Sequence, residues 1–204
     1  MSPVLPEMEA LGLNPGLAST IGHVPFRTAS PVRAAHPWIM KTPTTLHDAF
    51  LSELRDTFDA EKQILKALPK MIKAASSAQL RAALEAHGKQ TRNQVTRLEK
   101  VFKNLQQAVK GKHCDGMAGI LKEGAAVLEE NHDETTMDAC IIAAAQRVEH
   151  YEMAAYGTLV AWARMVGNPT ISKLLQTTLL EEKGADLKLS ALAEAGINQK
   201  AAIG

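Results

Sequence analysis

From Thr45 onward the apolar residues recur at alternating steps of three and four, with no stretch of strand-like alternation. At 3.6 residues per turn that spacing gathers them on one side of a helix, whereas a half-buried strand needs a period of two. Helix packing is therefore the only architecture the pattern admits. Composition agrees, since the 46% of hydrophobic residues are mostly Ala, Leu, Ile, Val and Met and only 4% of residues are aromatic. A chain of 204 residues with that content closes a proper core.

Punctuation divides the chain. Seven of the nine prolines fall in residues 1–43, among Gly, Ser, Thr and Ala, which reads as a flexible tail. Met40 stands where the texture changes, a candidate start for the folded part, and Val24, Phe26 and Trp38 are the tail's apolar anchors if it docks. Thr45 with Asp48 resembles a capping box, and the stripe Leu51, Leu54, Phe58, Leu65, Leu68 and Ile72 follows. Pro69 is expected to kink or end this helix. Ser76 with Gln79 caps a second helix striped by Leu80, Leu84, His87, Thr91, Gln94, Leu98, Val101 and Leu105. A third long helix runs from Thr135 or Thr136 to a stop at Gly167, and Asn168–Pro169 opens a fourth that ends at Gly196. The fold expected is all-α: an antiparallel four-helix bundle over 44–198, with a short extra helix between the second and third long helices and a C-terminal tail at 199–204.

With 23 basic and 22 acidic residues the net charge is +1, which gives no electrostatic case for nucleic acid or an anionic membrane. No apolar run approaches the roughly 20 residues of a membrane span, and Pro and Gly break up any signal-peptide core. Cys114 and Cys140 form neither a disulfide framework nor a zinc spacing, so a reducing cytoplasm is the simplest setting.

Acids interrupt the stripes. Glu61 sits in the first; Glu149 and Glu152, about 60° apart, lie on or beside the stripe of Ala145, Val148, Ala155 and Leu159. Glu182 lies on the stripe of Ile171, Leu175, Thr178, Leu189 and Leu192, with Asp186 about 40° away. His87 has the same placement on the second helix. Taken singly, each reads as a rim charge or a satisfied core polar group. Together, five carboxylates in one core repel one another and cost several kcal/mol apiece to desolvate. Arg147 and Lys183 are the only bases near the two acidic pairs, and neither lies on an inner stripe. Two divalent ions would set four positive charges against those five, the balance by which carboxylate-rich bundles hold iron or manganese. Tyr156, four residues past Glu152, is placed to donate a hydrogen bond to it. No pocket for an organic substrate is legible.

The stretches "DTFDAEKQILKALPKM", "AHGKQTRNQVTRLEKVF", "KHCDGMAGILKEG", "AAAQRVEHYEMAAYGTLVAWAR" and "LLQTTLLEEKGADLKLSALA" resemble the YciE/YciF family of small bacterial ferritin-like proteins over residues 41 to 198. The resemblance implies a ferritin-like fold, a cytoplasmic homodimer associated with stress responses, and a dinuclear iron or manganese centre. Carried over, its ligands fall on Glu61, His87, Glu149, Glu152, Glu182 and Asp186; beside them Tyr156, from its spacing, and Gln90 are the expected supporting residues. The chain departs from the family after His87, where Gly88, Lys89 and Gln90 stand in place of Leu and Glu. Gly88 also weakens the helix by about 1 kcal/mol relative to Ala. The Glu-x-x-His spacing of di-iron bundles is missing too, since Leu84 precedes His87 and Asp186 follows Glu182 at four residues. Two readings follow. In one, a carboxylate-dominated centre binds metal or consumes oxidants under stress, with Glu149 and Glu182 as bridges. In the other, the bundle is a dimeric interaction protein whose acids are satisfied by protons, water or cations.

Overall fold

Thr45 opens the first helix as its sequence requires, its Oγ1 accepting from the Asp48 N–H at 3.1 Å. The computed structural model describes residues 45–203, and among them there is no strand. The tail expected over 1–43, with Met40 and its apolar anchors, lies outside the described residues. The helices are α1 Leu46–Ala74, α2 Ala78–Asn104, α3 Asp115–Val127, α4 Glu134–Met165 and α5 Pro169–Leu192. A wider turn at Ala193–Ile197, where Gly196 takes φ +142°, leads to the last short helix, α6 Asn198–Ala201. Residues 199–201, expected as tail, are thus helical, and α6 packs on α4. None of these helices is long and apolar enough to cross a membrane.

Several boundaries differ from the sequence reading. Pro69 does not end α1, which continues to Ala74. The ring lies on the exposed face, where water can serve the carbonyl that loses its donor. Ser77, not Ser76, caps α2, its hydroxyl accepting from the Leu80 N–H at 3.3 Å. Asp133 caps α4 by accepting from the Thr135 and Thr136 N–H groups at 2.9 and 3.0 Å, so that helix begins slightly earlier than expected. At its far end Gly167 adopts φ +80°, the left-handed stop the sequence signalled.

Ser76 has a different role. Buried Asp138 of α4 accepts from the Ser76 N–H and hydroxyl at 2.8 and 2.6 Å and from the Ser77 N–H at 2.8 Å. One carboxylate thereby fixes the α1–α2 turn onto α4. Asp138→Ala orphans two backbone donors, and chemical denaturation is expected to show a loss of about 1–3 kcal/mol.

Around the bundle α1 packs on α2, α2 on α5, α5 on α4 and α4 on α1, while α3 lies against α1 and α4. The apolar core is in two parts. One gathers Ile64, Leu68, Leu80, Leu84, Ile141, Val148 and Leu189; the other gathers Phe50, Leu54, Phe58, Leu98, Phe102, Leu159 and Leu175. Along every long helix the residues between these two sets are buried and polar: Glu61 on α1; His87, Thr91 and Gln94 on α2; Glu149 and Glu152 on α4; Thr178 and Glu182 on α5. A polar layer crosses the middle of the bundle.

The short helix is anchored at its N-terminus. The Cys114 N–H donates to Asp59 Oδ2 at 3.0 Å, and its carbonyl accepts from Gln63 Nε2 at 3.1 Å. Its thiol lies 2.9 Å from the Tyr151 hydroxyl, which also donates to Asp56 at 3.3 Å. Gly116 makes this approach feasible, because a Cβ there would lie 2.8 Å from the Tyr151 ring.

Candidate functional site

The polar layer brings His87, Glu149, Glu152 and Glu182 together from α2, α4 and α5, each offering a ligand atom, with all four atoms within 4.8 Å of one another. The helical period accounts for the convergence: Glu149 follows buried Val148, Glu152 stands one turn before Ala155 and Tyr156, and Glu182 lies one turn beyond Thr178. His87 Nε2 is 3.5 Å from Glu149 Oε1, and its Nδ1 is 3.9 Å from Glu182 Oε2. Glu61 is fully buried beside them, with Oε1 accepting from the Tyr156 hydroxyl.

The other expected residues fall differently. Tyr156 bonds Glu61, not Glu152, because its hydroxyl is directed at α1. Asp186 does not join the cluster. It is half-buried, accepts from Gln146 Nε2 at 3.0 Å and lies 3.3 Å from the largely exposed ring of His150. Gln90 is half-buried and lines a groove of about 620 Å³ between α2 and α5, whose inner end is formed by His87 and Glu149. Gly88 lies against α1, where a Cβ would sit 3.4 Å from Leu68 Cδ1.

Two supports were not read from the sequence. Buried Gln94 donates through Nε2 both to Glu182 Oε1 and, at 3.1 Å, to Glu181 Oε2. Arg97 holds Glu181 through two bonds of 2.9 Å. The neighbouring acids on α5 are therefore sorted: Glu181 has the cation and Glu182 is left to the interior. The visible signal was Gln94's place on the α2 stripe, a polar residue where Leu would pack.

Burial dominates the electrostatics. It pushes the Glu61, Glu149, Glu152 and Glu182 carboxyls all above the usual carboxylate range. Their mutual repulsion adds to this: Glu182 acts on Glu61 and on Glu149, and Glu61 acts on Glu152. Burial also pushes His87 down to about 4, which keeps its ring neutral and its lone pair available near neutral pH.

A metal fits these residues on the structure's own terms. Both His87 nitrogens, both Glu152 oxygens, and Oε2 of Glu61, Glu149 and Glu182 are buried and have no hydrogen-bond partner among the described residues. Gln94 Oε1 in the same layer and Thr57 Oγ1 are likewise unpartnered; buried polar atoms are nearly always satisfied, so the seven on the histidine and the four acids mark a place for something other than the protein. Three carboxylates, an imidazole and a neighbouring fourth carboxylate form an oxygen-rich set suited to iron or manganese.

Comparison with known proteins places the chain. It is 41% identical over 158 residues to protein YciF of Escherichia coli K12, covering 77% of this chain and 95% of that one. The crystal structure of the E. coli stress protein YciF superposes with a TM-score of 0.73 at 40% identity, over 76% of this chain and 98% of that one. YcfI from Rhodopseudomonas palustris gives the same TM-score at 44% identity, over 75% and 98%. The profile of a domain of unknown function, DUF892, matches residues 45–202. The chain belongs to the DUF892 family, of which the helices and the polar layer described above are this member's form.

Proposed function

We propose that the chain is a stress-associated metal-binding protein, with a ferritin-like antiparallel bundle that holds two iron or manganese ions on the residues of its central layer. The observation that carries this reading is the set of seven potential ligand atoms on Glu61, His87, Glu149, Glu152 and Glu182 that are buried without a hydrogen-bond partner. Charge supports it as well. Asp186 lies outside, so four carboxylates remain in the layer, and two divalent ions would balance them without another base.

When bound, iron or manganese supplies Lewis acidity and one-electron chemistry toward small oxidants. The protein's share is orientation. Gln94 fixes one oxygen of Glu182 and leaves the other inward, and Tyr156 does the same for Glu61. Neutral His87 offers a lone pair without adding charge. The α2–α5 groove gives small polar species a route to His87 and Glu149. The E. coli relative's description as a stress protein supports an oxidant-consuming or metal-sequestering role, in a cytoplasmic homodimer as the family resemblance implies.

Metal analysis of protein from metal-replete cells tests the reading. About two iron or manganese ions per chain are expected, falling to none in Glu149→Ala/Glu182→Ala. Full-length protein that contains no metal under these conditions, and takes none up after reconstitution, refutes it.

A further inference from the structure

A second cavity, of about 280 Å³, lies between α1, α3 and α4, and its character differs from that of the α2–α5 groove. Its wall is largely aliphatic, with Ile120, Leu121 and Leu128 from the short helix facing Met71 and Val148. No acidic residue lines it. Its charged members are Lys66 and Lys70, one turn apart on α1, both exposed and neither ion-paired among the described residues.

The cavity narrows inward. Ala67, Met71, Leu121 and Val148 also line a neighbouring space of about 10 Å³, and the far wall of that space is His87 and Glu149. Ten cubic ångströms is about one water-sized sphere. The chamber therefore has two free cations at its mouth and an inner wall of Ala67, Met71, Leu121 and Val148 that it shares with a small space against the polar layer.

That gradient of chemistry selects an amphiphile. A short anion has nothing to do in the aliphatic chamber, and a neutral hydrocarbon makes no use of the lysines. We propose that the α1–α3–α4 cavity is a binding site for a medium-chain aliphatic carboxylate, its head between Lys66 and Lys70 and its chain end directed toward His87 and Glu149. Apolar burial supplies the affinity and the lysines set the orientation. Binding requires no metal, so the inference goes beyond the proposed centre and stands or falls separately from it.

The test is titration calorimetry on the full chain with hexanoate, octanoate and decanoate, and with decyltrimethylammonium as the charge-reversed control. Affinity is expected to rise about fourfold per methylene, the gain from burying one CH₂. The ammonium should bind at least tenfold more weakly than decanoate. Lys66→Glu/Lys70→Glu should reverse that preference. Ala125→Trp places a ring at the cavity wall from an exposed position on α3. It should abolish decanoate binding while leaving helicity and metal content unchanged. The proposal is overturned by absence of decanoate binding, by equal affinity for the ammonium, or by undiminished binding to Ala125→Trp. Sedimentation completes the test: if carboxylates do not bind and Ala125→Trp dissociates an oligomer, the cavity belongs to a second copy of the chain.

Discussion

Chelator-treated Glu152→Leu protein is expected to melt above chelator-treated wild type, by about 1–3 kcal/mol or roughly 3–10 °C for a domain of this size. Glu152 is 1% exposed, and neither of its oxygens has a hydrogen-bond partner. Without a metal, the carboxyl must either stay ionised beside three other acids or hold a proton with no partner for it, which is why burial and then Glu61, Glu182 and Glu149 push its pKa up. Leucine is of similar size and removes both penalties. With manganese or iron added the order should invert. The wild type then gains about 2.7 kcal/mol at a hundredfold excess of metal over its dissociation constant, and the variant, short of a ligand, gains less. Thermal melts of both proteins with and without metal measure the crossing. A variant less stable than wild type in chelator would show that protein contacts hold Glu152 after all.

The second expected result concerns pH. Each of the four glutamates of the polar layer has a folded pKa above its ordinary value of 4.5, so the folded chain keeps protons that the unfolded chain releases. Their contribution to stability is full below 4.5 and is lost as pH rises through the folded values. His87 acts in the opposite sense. Pushed down to about 4 from 6.5, it costs stability as pH falls between those values, because the unfolded ring takes up the proton first. The two effects oppose each other between 4.5 and 6.5, and above 6.5 only the carboxyls act. Metal-free protein should therefore lose stability from pH 6.5 to 8.5, at up to about 1.4 kcal/mol per pH unit for each carboxyl still protonated in the fold. Metal-loaded protein should show no such loss, since ligation ionises the same groups and tightens as protons become scarce. Denaturant midpoints across this range decide it, and a metal-free midpoint that does not fall would overturn the expectation.

Much of this layer was legible because a helix repeats. Stripes such as Ile171, Leu175, Thr178, Glu182, Leu189 and Leu192 are all buried as their spacing requires, and an acid in such a stripe has nowhere to go but inward. What escaped was whatever depends on a partner distant in sequence. Arg97 is absent from any local account of Glu181, 84 residues away. Asp138 looks like one more charge near a helix start until the Ser76 turn, 62 residues earlier, is found against it. Asp186 was misplaced because its 40° offset from Glu182 suffices to hand it to Gln146 and His150. The aliphatic cavity was invisible for the same reason: it exists only where α3 meets α1 and α4, and periodicity within one helix carries no information about that meeting.

Tyr151 links these regions mechanically. Its ring rests on the bare backbone of Gly116 and its hydroxyl meets α1 and the start of α3, yet it stands on α4 between Glu149 and Glu152. The turn that carries two of the inward acids is therefore braced from outside, against α1 through Asp56 and against the start of α3 through Cys114 and Gly116.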